Sequence, residues 1–266
     1  MPPTLRLIDV TLTYNPGRAD EVRALRGVNL DVDQGEFITV VGSNGAGKSS
    51  TVQVIAGDVR PSTGEVRMNG RVVNAWPEHK RAGLVARVFD DPRVGSAPDL
   101  SVEDNLALAL ARGRRRTLRF ALDQKRRRHL REKLSELGLG LEDRLHQRVG
   151  LLSAGQRQSL TMVMAGLASP RILLLDEHLA ALDPATAQRV LTVTSTLVRE
   201  MECATLMVTH NMDHAISIGT RLLVMSGGVI ISDIAEQEKQ DLTVKGLIDR
   251  ITRAGGTVAD RTLLAQ

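Results

Sequence analysis

The sequence predicts an α/β fold organised around a parallel sheet, and three observations lead there. First, the apolar, β-branched run Phe37-Ile38-Thr39-Val40-Val41 passes directly into Gly42-Ser43-Asn44-Gly45-Ala46-Gly47-Lys48-Ser49. That octet fits the phosphate-binding pattern G-x-x-x-x-G-K-[ST], and the helical stretch Ser50 to Ala56, stopped by Gly57, supplies the strand-loop-helix setting the pattern needs. Second, Arg171-Ile172-Leu173-Leu174-Leu175-Asp176-Glu177 is a continuous apolar run ending in two acids. Such a run reads as a strand buried on both faces of a parallel sheet. Third, residues from about 96 to 168 switch to a mainly helical pattern between those two strands.

The remaining elements follow in order. Residues 5–14 alternate apolar and polar, as do 28–32, so both read as antiparallel or edge strands. Ser62-Thr63-Gly64 and Asn69-Gly70 flank a short strand, Glu65 to Met68, and predict hairpin turns. Leu84 to Phe89 is a further strand. Ser101 caps a helix carried on by Leu106, Leu108 and Leu110, and Asp104 makes a near-miss to a capping box. The helical region breaks near Gly113, Gly138-Leu139-Gly140 and Gly150. Strands return at 171–176, 204–209 and 222–225, and Ser226-Gly227-Gly228 turns into a last strand, Val229 to Ser232. A helical tail, about 240–254, closes the pattern, with loose final residues.

The loop octet names a ligand. Its glycines let successive N–H groups converge on one anion, and the helix N-terminus adds partial positive charge. Lys48 is expected to reach the β- and γ-phosphates of a nucleoside triphosphate, and the Ser49 hydroxyl to ligate Mg²⁺. An acid at the C-terminal end of a central strand lands in the crevice where α/β sheets bind ligands. Asp176 is therefore expected to hold Mg²⁺, directly or through water. Glu177, one residue on, points elsewhere and can polarise an attacking water.

With these residues placed, the chain resembles the ATP-binding cassette (ABC) ATPases from about Leu5 to Asp233. Leu152-Ser153-Ala154-Gly155-Gln156 is similar to that family's L-S-G-G-Q signature. Ala181-Leu182-Asp183 stands where its D-loop stands, and Val208-Thr209-His210 where a strand ends in its switch histidine. Tyr14, the single tyrosine, sits where the family stacks an aromatic on adenine. Asp176 to Pro184 and Val208 to Met212 further resemble the branch paired with a periplasmic binding protein and permease of the tryptophan/tyrosine type. The resemblance implies a P-loop NTPase core, about 1–90 and 166–235, with an antiparallel β subdomain. It also implies a helical subdomain, about 91–165, and a tail, about 236–266. It implies the ATPase subunit of a bacterial importer that serves membrane permease subunits, which form the pore, and, indirectly, a substrate-binding protein. Two copies would pair head to tail as a homodimer around two ATP molecules, at the inner face of the cell membrane. The nucleotide would meet Tyr14, Gly42, Ser43, Asn44, Gly45, Ala46, Gly47, Lys48, Ser49 and Ser50 from one chain. Ser153, Ala154, Gly155, Gln156 and Asp183 would come from the other. Glu177, His210 and Lys48 carry the expected catalytic roles. Ser153 also reads as a helix N-cap, and a capped helix N-terminus is itself an anion site.

Two departures from the family stand out. Ala154 replaces the first signature glycine, tolerable if the backbone there is helical. Asp90, in Arg87-Val88-Phe89-Asp90-Asp91-Pro92, occupies a position that is normally glutamine. Its carboxylate suits Mg²⁺, but it is one methylene shorter. It is therefore read as a metal ligand in a working but altered ATPase, against a ligand out of reach or a merely solvated acid. The rival functions are an ATP-binding switch with little turnover and a non-transport ABC ATPase.

Composition narrows the classes. One cysteine, Cys203, excludes an internal disulfide, fits a reducing cytosol and reads as a buried inert thiol. No apolar run approaches the ~20 residues of a membrane helix, and Met1-Pro2-Pro3-Thr4 lacks a signal pattern. The expectation is a soluble, cytoplasmic chain. With one Trp, one Tyr and three Phe, a stacked-base nucleic-acid platform is disfavoured. Residues 112–131 carry ten Arg or Lys and one acid, including Arg114-Arg115-Arg116 and Lys125-Arg126-Arg127-Arg128. That run reads first as a solvated face, then as a match for anionic headgroups, and last as a phosphate-backbone contact.

Overall fold

The computed structural model describes residues 2–112, 124–136, 138 and 140–255. The predicted break at Gly113, the run Arg114-Arg115-Arg116 and the last residues of the tail lie outside them. Two sheets organise the described chain. Strands β1 (Leu5–Tyr14), β2 (Val22–Val32), β4 (Thr63–Met68) and β5 (Arg71–Val72) form an antiparallel sheet in the order β2-β1-β4-β5. Strands β3 (Phe37–Val41), β6 (Val85–Val88), β7 (Ile172–Asp176), β8 (Ala204–Val208), β9 (Arg221–Ser226) and β10 (Val229–Ile234) form the other, in the order β10-β9-β3-β8-β7-β6. All its pairings are parallel except β9 with β10.

The sheet's burial follows from side-chain alternation. Successive residues of β7 point to opposite faces. Ile172 and Leu174 join a core with α1 (Lys48–Ala56) and the antiparallel sheet, whereas Leu173 and Leu175 join a second core with the helices. All four are fully buried, each worth roughly 1.5–3 kcal/mol relative to exposure. The second core is closed by α3 (Val102–Ala111), α4 (Gln124–Glu136), α5 (Ala154–Leu167) and α6 (Pro184–Met201). A third packs α7 (Met212–Ser217) and the tail helix α9 (Val244–Arg253) on β9 and β10.

Several expectations need correction. Asn69-Gly70 is a hairpin turn, with both residues at positive φ, 48° and 76°. Ser62-Thr63-Gly64 is not one: Thr63 already pairs with Thr11 of β1, and Gly64 sits in a bulge against Asp9. β2 begins at Val22, six residues before the predicted start, because its outer end pairs with β1 where alternation is weak. The tail is two helices, α8 (Glu236–Gln240) and α9, since Thr243 starts a new helix by accepting from the Gly246 N–H. Between residues 91 and 168 the helices are interrupted at 91–101 and 140–148 by turns. At α3 the near-miss is a complete capping box, with the Asp104 carboxylate standing in for the usual longer side chain. Cys203 is free and buried, and burial raises its thiol pKa.

Candidate active site

Strand order brings the predicted motifs together. β8 is hydrogen-bonded to β3 on one side and β7 on the other, all parallel, so their C-terminal ends share one edge. β3 ends there in the glycine loop, β7 in Asp176, and β8 just before His210. This is the crevice position expected for a ligand in an open α/β sheet.

The loop curls as its sequence requires. Gly47 takes φ 100°, and a Cβ there would lie 2.7 Å from the Ala24 carbonyl oxygen. It forms the N-cap of α1, which therefore begins at Lys48, two residues before the predicted start. Lys48 is 5% exposed and its ammonium donates to the carbonyls of Gly42 at 2.7 Å and Ser43 at 3.0 Å. The lysine tip is thus folded back over the loop. Ser49 and Ser50 lie in the first turn of α1; Ser49 is exposed, and Ser43, Asn44 and Gly45 line the outer part of the loop while Ala46 is buried. Tyr14, at the end of β1, donates its hydroxyl to Gln53 Oε1 at 2.8 Å and is half-buried against the first core. It is thereby pinned to the same helix that the loop starts.

The acids are fixed differently. Asp176 pairs in register with Val208, and its Oδ2 accepts from Arg87 Nη2 at 2.7 Å. Burial pushes its pKa up, Arg87 opposes that, and the charges of Glu177 and Asp90 add to the rise. Glu177 has φ 52°, a left-handed conformation uncommon outside glycine, and its N–H donates to Val208 O at 3.0 Å. That twist ends the strand and turns the side chain to His210, whose Nε2 donates to Glu177 Oε1 at 2.6 Å. The His210 hydrogen bond holds the Glu177 pKa below its usual value, against the opposing effect of burial. Asp90 is exposed on the loop after β6, close enough for its charge to act on Asp176.

The oxygen donors of Ser49, Asp176 and Asp90 suit a hard cation such as Mg²⁺. Among the described residues no group of three or more His, Cys, Asp or Glu is placed to hold a metal alone. Mg²⁺ takes one or two carboxylates and completes its shell with phosphate and water.

The signature segment opens α5. The Ser153 hydroxyl accepts from the Gln156 N–H at 3.2 Å, while Gln156 Oε1 accepts from the Ser153 N–H at 3.2 Å. Capping uses a hydroxyl lone pair and leaves the Ser153 O–H proton free to donate to an anion. Ala154 is exposed in the first helical turn, so its methyl meets no crowding, whereas Gly155 is buried against Thr186. Asp183 N-caps α6, accepting from the Thr186 N–H at 3.1 Å; the Thr186 side chain first, and then that N–H, lower its pKa.

Three contributors escape motif reading. Arg87 lies within the Asp90 segment, and its signal is a charge inside a buried strand. Gln158, 1% exposed, donates to Phe89 O at 3.0 Å and so ties α5 to the segment carrying Asp90. His178 is fully buried, pushed down to about 3 by burial and so neutral, and it meets Thr194 Oγ1 of α6 at 3.1 Å.

Comparison with known proteins identifies the family. The ABC transporter family model matches residues 25–180. A tyrosine transport ATP-binding protein of Clostridioides difficile (strain R20291) is 40% identical over 85% of this chain and 90% of its own length. The spermidine/putrescine import ATP-binding protein PotA of Mesoplasma florum is 35% identical over 85% of this chain, which spans only 60% of that relative. The solved ATP-binding cassette MJ0796, a dimer in a post-hydrolysis state with ADP and Pi, superposes with a TM-score of 0.74 at 27% identity, covering 87% of this chain and 98% of the cassette. The chain belongs to the ABC transporter family, with the ABC cassette fold, and is an ATP-binding, ATP-hydrolysing subunit.

Proposed function

We propose that the chain powers a bacterial importer by closing as a homodimer around two ATP molecules while bound to a separate permease. The observation that carries the reading is the meeting of the glycine loop, Asp176 and the Glu177–His210 pair at one sheet edge. The import direction is supported by the PotA relative, and the amino-acid class of cargo by the tyrosine transport relative. Among the described residues no helix is long and apolar enough to cross a membrane. A permease from another chain would form the pore, with this chain on the cytoplasmic face.

Each residue then has a task. Lys48 and the loop N–H groups hold the β- and γ-phosphates, and Tyr14 stacks on the adenine. Ser49, Asp176 and Asp90 would hold Mg²⁺, which when bound neutralises charge on the phosphates. Glu177 orients the attacking water, kept ionised by His210, which turns to the γ-phosphate when nucleotide enters. Ser153 and the Gly155 N–H of one copy donate to the γ-phosphate held by the other, with Ala154, Gln156 and Asp183 beside them. ATP thus adds contacts only in the closed dimer, and hydrolysis removes them. The core, about 1–90 and 166–235, carries the loop and the acids. The helical part, about 91–165, carries the signature, and the tail packs behind.

The test is Mg²⁺-dependent ATP hydrolysis by the chain with its Glu177→Gln and Asp90→Gln variants. Glu177→Gln is expected to cut turnover by ~10²-fold or more while retaining ATP. Turnover equal to wild type would remove Glu177 from its role. A silent wild type rescued by Asp90→Gln would favour the second reading, an ATP-closed switch, which the exposed Asp90 in place of glutamine motivates.

A further inference from the structure

Arg87 is a charged residue on the edge strand of the parallel sheet, and every part of its guanidinium is engaged or enclosed. It is half-buried on β6, the edge neighbour of β7. Nη1 donates to Asp58 Oδ2 at 2.5 Å, and Nη2 donates to Asp176 Oδ2 at 2.7 Å. The guanidinium carbon lies 4.6 Å from the centroid of the Phe89 ring, a cation–π distance. Nε is buried and makes no hydrogen bond. Asp58 follows Gly57, the C-cap of α1, and its N–H donates to Gln53 O at 3.0 Å, so it is tied to the end of the helix that the phosphate loop starts. One planar group therefore joins the far end of the phosphate-loop helix to the acid at the end of β7.

We infer that Arg87 is a positioning residue for the metal carboxylate, holding Asp176 through one oxygen and leaving the other for the cation. The inference rests on the reading of Asp176 as a Mg²⁺ ligand. The physical case is the fork. A guanidinium fixed by Asp58 at one nitrogen and by an aromatic face has no freedom left at the other. A carboxylate bonded to that second nitrogen inherits the same fixity. A lysine ammonium, a point charge on a flexible stem, supplies charge without the fork. Asp58 matters because without it the guanidinium loses its anchor, although Asp58 is 30% exposed and far along the chain from either acid. The link also gives the metal carboxylate and the phosphate loop a common mechanical reference, since α1 starts at Lys48 and the Asp58 anchor is hydrogen-bonded to its last turn.

The experiment titrates Mg²⁺ into the full-length chain with a fluorescent ATP analogue and reads nucleotide affinity, with parallel titrations in EDTA. It compares wild type, Arg87→Met, Arg87→Lys, Asp58→Asn and Asp176→Asn. Partners that orient metal ligands typically contribute 10–100-fold to metal affinity. Arg87→Met is expected to raise the Mg²⁺ half-point by about tenfold or more, with affinity in EDTA within about twofold of wild type. Arg87→Lys and Asp58→Asn are expected to raise it by a smaller factor in the same direction, and they carry the test if Arg87→Met does not fold. An unchanged half-point in both, with Asp176→Asn shifted, overturns the positioning role. Equal weakening in EDTA and Mg²⁺ overturns it too, making Arg87 a general brace. An Asp176→Asn chain with unshifted Mg²⁺ dependence instead defeats the reading of Asp176 on which the inference stands.

Discussion

Adding one methyl group at Gly155 tests how the signature helix is seated. An ideal Cβ there would lie 2.2 Å from Thr186 Cγ2 and 3.7 Å from Thr186 Cβ. Carbon atoms in contact prefer about 3.5–4.0 Å, so one helix must move. Thr186 cannot simply rotate away, because it is β-branched, stiff at χ1, and set in the first turn of α6 beside its Asp183 cap. Overpacking of this kind costs about 1–3 kcal/mol. Alanine's better helix propensity returns about 1 kcal/mol. Gly155→Ala should therefore lower stability by roughly 0–2 kcal/mol in urea unfolding, the remainder of those two effects. Thr186→Ser removes Cγ2 and keeps the hydroxyl. In that background the clash is gone, and Gly155→Ala should be neutral or stabilising. The double-mutant cycle should show a coupling of about 1 kcal/mol or more, and ATP-driven dimerisation should fall and recover with it. Equal destabilisation in both backgrounds would refute the steric account. The same geometry explains why the family glycine at 154 can be alanine here: Ala154 is exposed, and Gly155 is not.

Other predictions follow from buried and exposed charge. Lys239 is 3% exposed, and its ammonium donates to the carbonyls of Ile218 and Gly219. Burial lowers its pKa from 10.5 to about 8. Between those values the unfolded chain binds the extra proton, so stability should rise as pH climbs through that window. A pH series of thermal midpoints should show the rise in wild type and lose it in Lys239→Met; an identical slope in both would reject the assignment. On α4, Leu130 and Leu134 face the core while Lys125, Arg126, Arg128 and Arg131 are exposed. Flotation with vesicles should rise with anionic lipid by an increment that the Lys125→Glu/Arg128→Glu variant loses, at about 1 kcal/mol per basic residue. Binding that ignores lipid charge leaves only the solvated-face reading.

Much of this molecule was legible from local pattern. The phosphate loop, the β7 acids and the strand before His210 are runs in which spacing and residue type carry the chemistry without knowledge of distant contacts. The order of those motifs was enough to identify the family. Even the Ser153 cap was readable, because an N-cap is satisfied within three residues of itself. Features joined through space were not. β2's outer half shows little alternation and exists because β1 lies beside it, and Thr63 pairs with Thr11 rather than turning a hairpin. The tail divides at Thr243 because α8 and α9 dock separately, one by Lys239 and the other by Leu247 and Ile251. The bond from Arg87 to Asp176 joins residues 89 apart in the chain, and the clash that protects Gly155 comes from a different helix. Hydrogen-bond and packing partners brought together only by chain folding leave no periodic trace in sequence. Short-range chemistry therefore told what the site binds, and the tertiary structure decided what holds its acids in place.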